Sequence, residues 1–193
     1  MKSICVYCGS RSGNDPAFAK LAETVGEALL ERNLRLVYGG GKVGLMGLVA
    51  DSVLRGGGEV IGVIPDALVQ QEVAHQGLTQ LFVTRSMHER KTLMATLSDG
   101  FLALPGGIGT LEEVFEIWTW SYLGYHQKPL GLVNAAGYFD SLIDFLRHAG
   151  DQGFVQGSQK DMLLVDQDPR SVLDRFDSYV PPPSLASLRK GQI

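Results

Sequence analysis

Seven short apolar runs, SICVYC, LRLVY, EVIGVI, TQLFVT, GFLALP, PLGLV and MLLVD, recur along the 193-residue chain, most of them separated by helical patterns. Each run is almost continuously apolar instead of alternating, which predicts a strand buried on both faces. Such strands joined by helices build a parallel sheet covered on both sides, because a parallel neighbour can be reached only through a crossover. The expected fold is therefore one α/β domain, a doubly wound parallel sheet of about seven strands. Helices are predicted at about Pro16–Arg32, Gly44–Arg55, Met87–Ser98, Leu111–Leu123, Tyr138–Ala149 and Pro169–Asp177. The domain spans residues 1–179; residues 180–193 carry three consecutive prolines and read as a tail that wraps the surface or frays. Residues 65–77 join two strands by a connection of the length often found in functional rims, with room for one short helix.

A formal charge of −4 and a pI near 5.5 argue against a nucleic-acid or anionic-membrane surface and favour a small anionic ligand. The opening MKSICVYCGS is too short in apolar residues for a signal peptide, and no run approaches a membrane span, so a cytoplasmic location is expected. Cys5 and Cys8 form C-x-x-C inside a strand-like run. Three apart in a strand, they face opposite sides of the sheet, which is a poor arrangement for a redox or metal pair. His75, His88, His126 and His148 are scattered, with no metal-ligand spacing, and no cofactor is implied.

Glycines cluster where three of the runs end: Cys8-Gly9-Ser10, Tyr38-Gly39-Gly40-Gly41-Lys42 and Pro105-Gly106-Gly107-Ile108-Gly109-Thr110. In an open parallel sheet those ends share one edge, where ligands bind. Gly39, Gly41 and Gly44 satisfy G-x-G-x-x-G formally, with Asp66 following 66 − 44 = 22 residues later. The usual dinucleotide fingerprint follows the first strand, however, and this one follows the second. A phosphate-binding P-loop fails, since Val43 stands after Lys42 and Leu36 where its first glycine belongs. The third loop has the clearest mechanism: a helix starting at Leu111 leaves its first N–H groups and positive dipole end facing outward for a phosphate, with the Thr110 hydroxyl as a donor or a cap.

Two charged residues stand out. Thr110-Leu111-Glu112-Glu113 is T-x-x-E, so Glu113 reads either as the far half of a capping box or as a carboxylate for chemistry. At roughly 100° per residue from Met87, Leu93, Met94 and Leu97 fall at about 240°, 340° and 280°, and Arg90 at about 300°, inside the apolar stripe. A guanidinium there needs an anionic partner, in a structural salt bridge or a site, or must snorkel to the sheet rim. Lys91 sits at the stripe's edge and Ser86 with Glu89 forms a second capping box. In EIWTWSYLGYH, Trp118 and Tyr122 share a face while Trp120 points elsewhere, which a subunit interface or a loop would cover.

SMHERK at 86–91 together with PGGIGTLEE at 105–113, and YGGGKVGLMG earlier, resembles the signature of the LOG (Lonely Guy) family. These are cytokinin riboside 5′-monophosphate phosphoribohydrolases, often labelled lysine decarboxylases. The resemblance implies a Rossmann-like fold, usually a homodimer, and hydrolysis of the N-glycosidic bond of purine nucleoside 5′-monophosphates, AMP or its N6-modified cytokinin forms, to free base and ribose 5-phosphate. It implies Arg90 and Glu113 as the catalytic pair, at the family's interval of 113 − 90 = 23 residues. It also implies substrate contacts from Met87, Lys91, Gly107, Ile108, Gly109, Thr110 and Glu72, with Gly9, Ser10 and Gly41 lining the same crevice. The alternative is a non-catalytic nucleotide or molybdenum-cofactor carrier of similar fold.

Overall fold

In β1 (Ser3–Tyr7) the side chains of Ile4 and Val6 enter one core cluster, joined by Cys8 just beyond, and those of Cys5 and Tyr7 enter another. All are buried, so this strand lies between two apolar layers, as its unbroken apolar run requires. The computed structural model describes residues 1–69 and 73–186. Within them β2 (Arg35–Tyr38), β3 (Val60–Pro65), β4 (Gln80–Thr84), β5 (Gly100–Ala103), β6 (Leu130–Val133) and β7 (Leu163–Asp166) complete a seven-stranded sheet in the order β4-β3-β2-β1-β5-β6-β7. Every neighbouring pair is parallel, with Cys5 opposite Val37 and Phe101, and Tyr7 opposite Ala103. The expected single α/β domain and its strands are borne out, except that β4, at the sheet edge, is not buried on both faces: Val83 is 55% exposed.

One face is covered by α1 (Pro16–Glu31), α2 (Gly44–Arg55) and α7 (Pro169–Asp177), which contribute Val25, Val49 and Phe176 among others to the first cluster. The other face is covered by α3 (Met87–Thr96), α4 (Ile108–Leu123) and α5 (Asp140–Asp151), through Met94, Ile117 and Leu146. The chain runs outward from β1 to β4, then returns to place β5 on the free side of β1. The connection after β1 therefore turns to one face and that after β5 to the other. A crevice opens between the two diverging loops, the topological switch point of an open α/β sheet.

Local chemistry explains most helix boundaries. Asp15 caps α1 through the Ala17 N–H at 2.8 Å and Asp168 caps α7, each with proline next in the chain, which suits the first helical position. Ser86 caps α3 through the Glu89 N–H at 3.2 Å, but the Glu89 carboxylate accepts from the Arg85 N–H at 2.8 Å instead of completing a box on Ser86. A short helix, α6 (Gly157–Asp161), escapes sequence reading because five residues carry no periodicity; its capping box uses Gln156 and Gln159. Among its described residues, the connection at 65–77 contains one 3₁₀ turn, Asp66–Leu68.

The larger correction concerns α4, which begins at Ile108 with Gly107 as N-cap, three residues before the expected Leu111. The Leu111 N–H already donates to the Gly107 carbonyl at 3.1 Å, an i to i−4 bond. Two glycines near the start disguise the first turn, yet glycine is an accepted N-cap and the first amides need no intrahelical partner. Of the tail, residues 180–186 are described; Ser184 is buried beside Gly124, the left-handed residue (φ 88°) ending α4.

Candidate active site

The loops after β1 and β5 touch through backbone. The Gly9 N–H donates to the Pro105 carbonyl at 3.0 Å, and a Cβ on Gly106 would sit 2.9 Å from the Gly9 nitrogen. On the other side of Gly9, the amides of Leu45 and Met46 at the start of α2 donate to its carbonyl at 3.0 and 3.3 Å. Gly44, at φ 60°, lies so close to the Ser10 backbone that no side chain fits. The first turn of α2 is thus spent holding the β1 loop, and Gly44, the last glycine of the formal G-x-G-x-x-G, serves that packing. Gly41 pairs with Ala74 in an isolated antiparallel bridge, flanked by Lys42 N–H to Val73 O (3.0 Å) and His75 N–H to Gly40 O (2.9 Å). His75 in turn bonds Asp51 on α2 at 2.9 Å, so residues 73–77 are latched over the β2 loop.

Between the β1 and β5 loops lies a cavity of about 570 Å³. Gly9, Ser10, Met87, Arg90 and Glu113 line it, as do Gly107, Ile108, Gly109 and Thr110 at the start of α4. Sequence reasoning missed Arg11, Ser12 and Tyr138, which also line it; Arg11 directly follows the Cys8-Gly9-Ser10 turn, and that adjacency was the available signal. Neither Gly41 nor Lys91 is part of the lining. Glu72 lies outside the described residues.

The start of α4 is open to this cavity. Gly107 offers no side-chain cap, a Cβ at Gly107 or Gly109 would meet nothing within 4 Å, and Ile108 is 87% exposed. The amides of the first turn lack helical acceptors and sit at the positive end of the dipole, an arrangement that favours an anion. Thr110, at the third helical position, is buried with its hydroxyl over Gly106 and is not the cap.

That shift frees Glu113. With the helix capped at Gly107, Thr110 and Glu113 form no capping box, and the carboxylate faces Arg90 instead, with Nη2 to Oε1 at 3.6 Å. Arg90, on the buried face of α3, is 4% exposed, which settles its place in the apolar stripe: it is the cationic half of a buried ion pair at the cavity floor. Burial first, and the Glu113 charge second, push the Cys8 thiol well above its ordinary range, so Cys8 lines the cavity as a neutral thiol and not as a nucleophile. Burial, with Cys5 and Glu113 after it, likewise raises the Tyr7 phenol. Both cysteines are free and buried on opposite sheet faces, as expected.

Lys91 bridges Glu112 (2.5 Å) and Glu116 (3.0 Å), tying α3 to α4 beside the site. Burial alone would lower its pKa, but the two carboxylates outweigh that and hold the ammonium above the ordinary lysine range. It is kept charged, the opposite of what imine chemistry asks of a lysine. Among the described residues no group of three or more His, Cys, Asp or Glu side chains is placed to hold a metal ion.

Residues 46–176 match a family model described as "Possible lysine decarboxylase". The chain is 43% identical over 180 residues, covering 93% of it and 84% of the relative, to cytokinin riboside 5′-monophosphate phosphoribohydrolase LOG1 of Arabidopsis thaliana. The protein of that activity from Rhodococcoides fascians is 47% identical over 168 residues, 86% of this chain and 85% of the relative. The chain belongs to the LOG family. Its fold is shared more widely: the molybdenum cofactor carrier protein of Chlamydomonas reinhardtii superposes with a TM-score of 0.69 at 19% identity, covering 92% of the LOG-family chain and 99% of the carrier. A molybdenum cofactor binding protein from Rippkaea orientalis gives 0.67 at 20% identity, over 92% and 97%. At such identities the likeness is one of fold alone.

Proposed function

We propose that this LOG-family chain hydrolyses the N-glycosidic bond of purine nucleoside 5′-monophosphates, AMP and its N6-modified cytokinin forms, to free base and ribose 5-phosphate. The observation that carries the reading is the Arg90–Glu113 pair on the cavity floor, with Glu113 one turn beyond the open first turn of α4. The 5′-phosphate sits on the amides of Ile108, Gly109 and Thr110, and that remote binding orients the ribose. Glu113 then lies at the anomeric carbon. Its carboxylate stabilises the oxocarbenium-like sugar and takes a proton from the attacking water, whose oxygen bonds to C1′. The C1′–N9 electron pair leaves with the purine, which takes a proton from solvent. Arg90 stays charged throughout, so it holds Glu113 and the sugar electrostatically and donates no proton.

The same site supports further assignments. Gly9, Ser10 and Met87 contact the nucleotide from the β1 loop and the start of α3, where they line the cavity. Lys91 acts through the placement of Glu112 and α4, in keeping with its two ion pairs. The active species is a cytoplasmic homodimer. Trp120 is half-buried against the second core cluster and needs no partner, but Ile108 and Phe115, seven apart on one face of α4, are 87% and 36% exposed and offer an apolar contact. Among the described residues no helix is long and apolar enough to cross a membrane. Incubating the purified protein with AMP and with N6-prenylated AMP, and separating products by chromatography, tests the activity. Equimolar base and ribose 5-phosphate are expected, whereas bound but intact nucleotide would support a carrier; light scattering on the eluted protein checks the dimer.

A further inference from the structure

Gly39 directly follows β2 and opens a run of three glycines, of which the other two have evident backbone roles. Gly40 takes φ 78°, and Gly41 bridges to Ala74. Gly39 has no positive φ, so backbone conformation does not ask for glycine there. The demand is steric. A Cβ built on Gly39 would lie 2.3 Å from Nη2 of Arg90, 3.4 Å from its Cζ and 3.3 Å from Sδ of Met46. The guanidinium of α3 therefore rests directly on the β2 terminus, in the volume that any side chain at 39 would occupy, and from there it meets Glu113.

We infer that Gly39 is a positioning residue for the Arg90–Glu113 pair, its missing side chain forming the seat of the guanidinium. The activity part of this inference rests on the proposed hydrolysis; the steric part does not. An arginine's far end yields more easily than a strand, so a methyl at 39 moves the guanidinium off Glu113 before it disturbs the sheet. A displacement of about 1 Å at a catalytic group can cost roughly 100-fold in rate.

The test is a double-mutant cycle on the full chain: wild type, Gly39→Ala, Arg90→Ala and the double variant, each followed by urea unfolding and by adenine release from AMP. Gly39→Ala is expected to lower the unfolding midpoint in the wild type and to leave it unchanged when Arg90 is alanine, since the clash has gone. It is also expected to lower kcat by about 100-fold with KM for AMP within a few-fold of wild type. A Gly39→Ala protein that folds only when Arg90→Ala is added supports the inference equally. Equal midpoint losses in both backgrounds, or a double variant that fails to fold, overturn it, as does wild-type turnover by Gly39→Ala. If the wild type releases no adenine, the proposed reaction falls and the midpoint cycle alone decides on Gly39.

Discussion

Arg90 of α3 and Glu113 of α4 approach to 3.6 Å although their helices follow different strands, β4 at the sheet edge and β5 next to the central β1. Both side chains are almost fully withdrawn from water, at 5% and 12% exposure. Two helices that start at the same sheet edge and pack on the same face thus deliver opposite charges to one crevice.

Removing one member of that pair leaves the other charge buried and uncompensated. Arg90→Ala is expected to destabilise the fold by about 3 kcal/mol and to abolish base release, with helical circular dichroism retained. Arg90→Lys restores the charge without the planar fork and is expected to recover stability more than activity. Denaturant unfolding alongside the AMP assay checks both.

The open first turn of α4 predicts that the phosphate carries much of the recognition. Loss of two charge-assisted bonds, each about 1.5–3 kcal/mol, is expected to make adenosine at least about 100-fold poorer than AMP in kcat/KM. Inorganic phosphate is expected to compete with AMP. Equal rates on adenosine and AMP would remove the anion site from the account.

Lys91 separates positioning from contact. Its ammonium is occupied by Glu112 and Glu116, and because these carboxylates are partly exposed the loss on Lys91→Ala is expected to be only about 1 kcal/mol. KM for AMP should stay within a few-fold while kcat falls modestly. A rise in KM of tenfold or more would instead make Lys91 a direct substrate ligand.

Asp99 supplies a pH signature away from the site. Its carboxylate accepts from the N–H groups of Lys2 (2.6 Å) and Ser3 (3.1 Å), pinning β1 beside β5. Burial alone would raise its pKa, but these bonds outweigh that and hold it below the ordinary 3.8. A depressed folded-state pKa means a contribution to stability that is present above 3.8 and lost as pH falls through the lower folded value. Asp99→Asn is expected to flatten that part of the acid limb, measured as unfolding midpoint against pH between about 5 and 2.

The sheet was legible because its inner strands are apolar on both faces, and α1 and α7 because an aspartate cap and a proline mark their starts. The start of α4 was not, since the local Thr110–Glu113 pattern imitates a cap and only the neighbouring loops reveal that Gly107 holds that role. Arg90 and Glu113 were visible as a charge on an apolar face and a carboxylate after a glycine loop. The roles of Gly39 and Lys91 were not, because the residues that define them lie on other elements, with the partners of Lys91 21 and 25 positions away. Spacing within one helix carries no information about such contacts.

In the proposed reaction Glu113 acts on the anomeric carbon of a phosphate-anchored nucleotide. Glu113→Gln keeps the shape of the side chain and removes its charge, so AMP binding followed by calorimetry is expected to persist while adenine release falls by at least about 100-fold. Adenine release at the wild-type rate by Glu113→Gln would contradict that role.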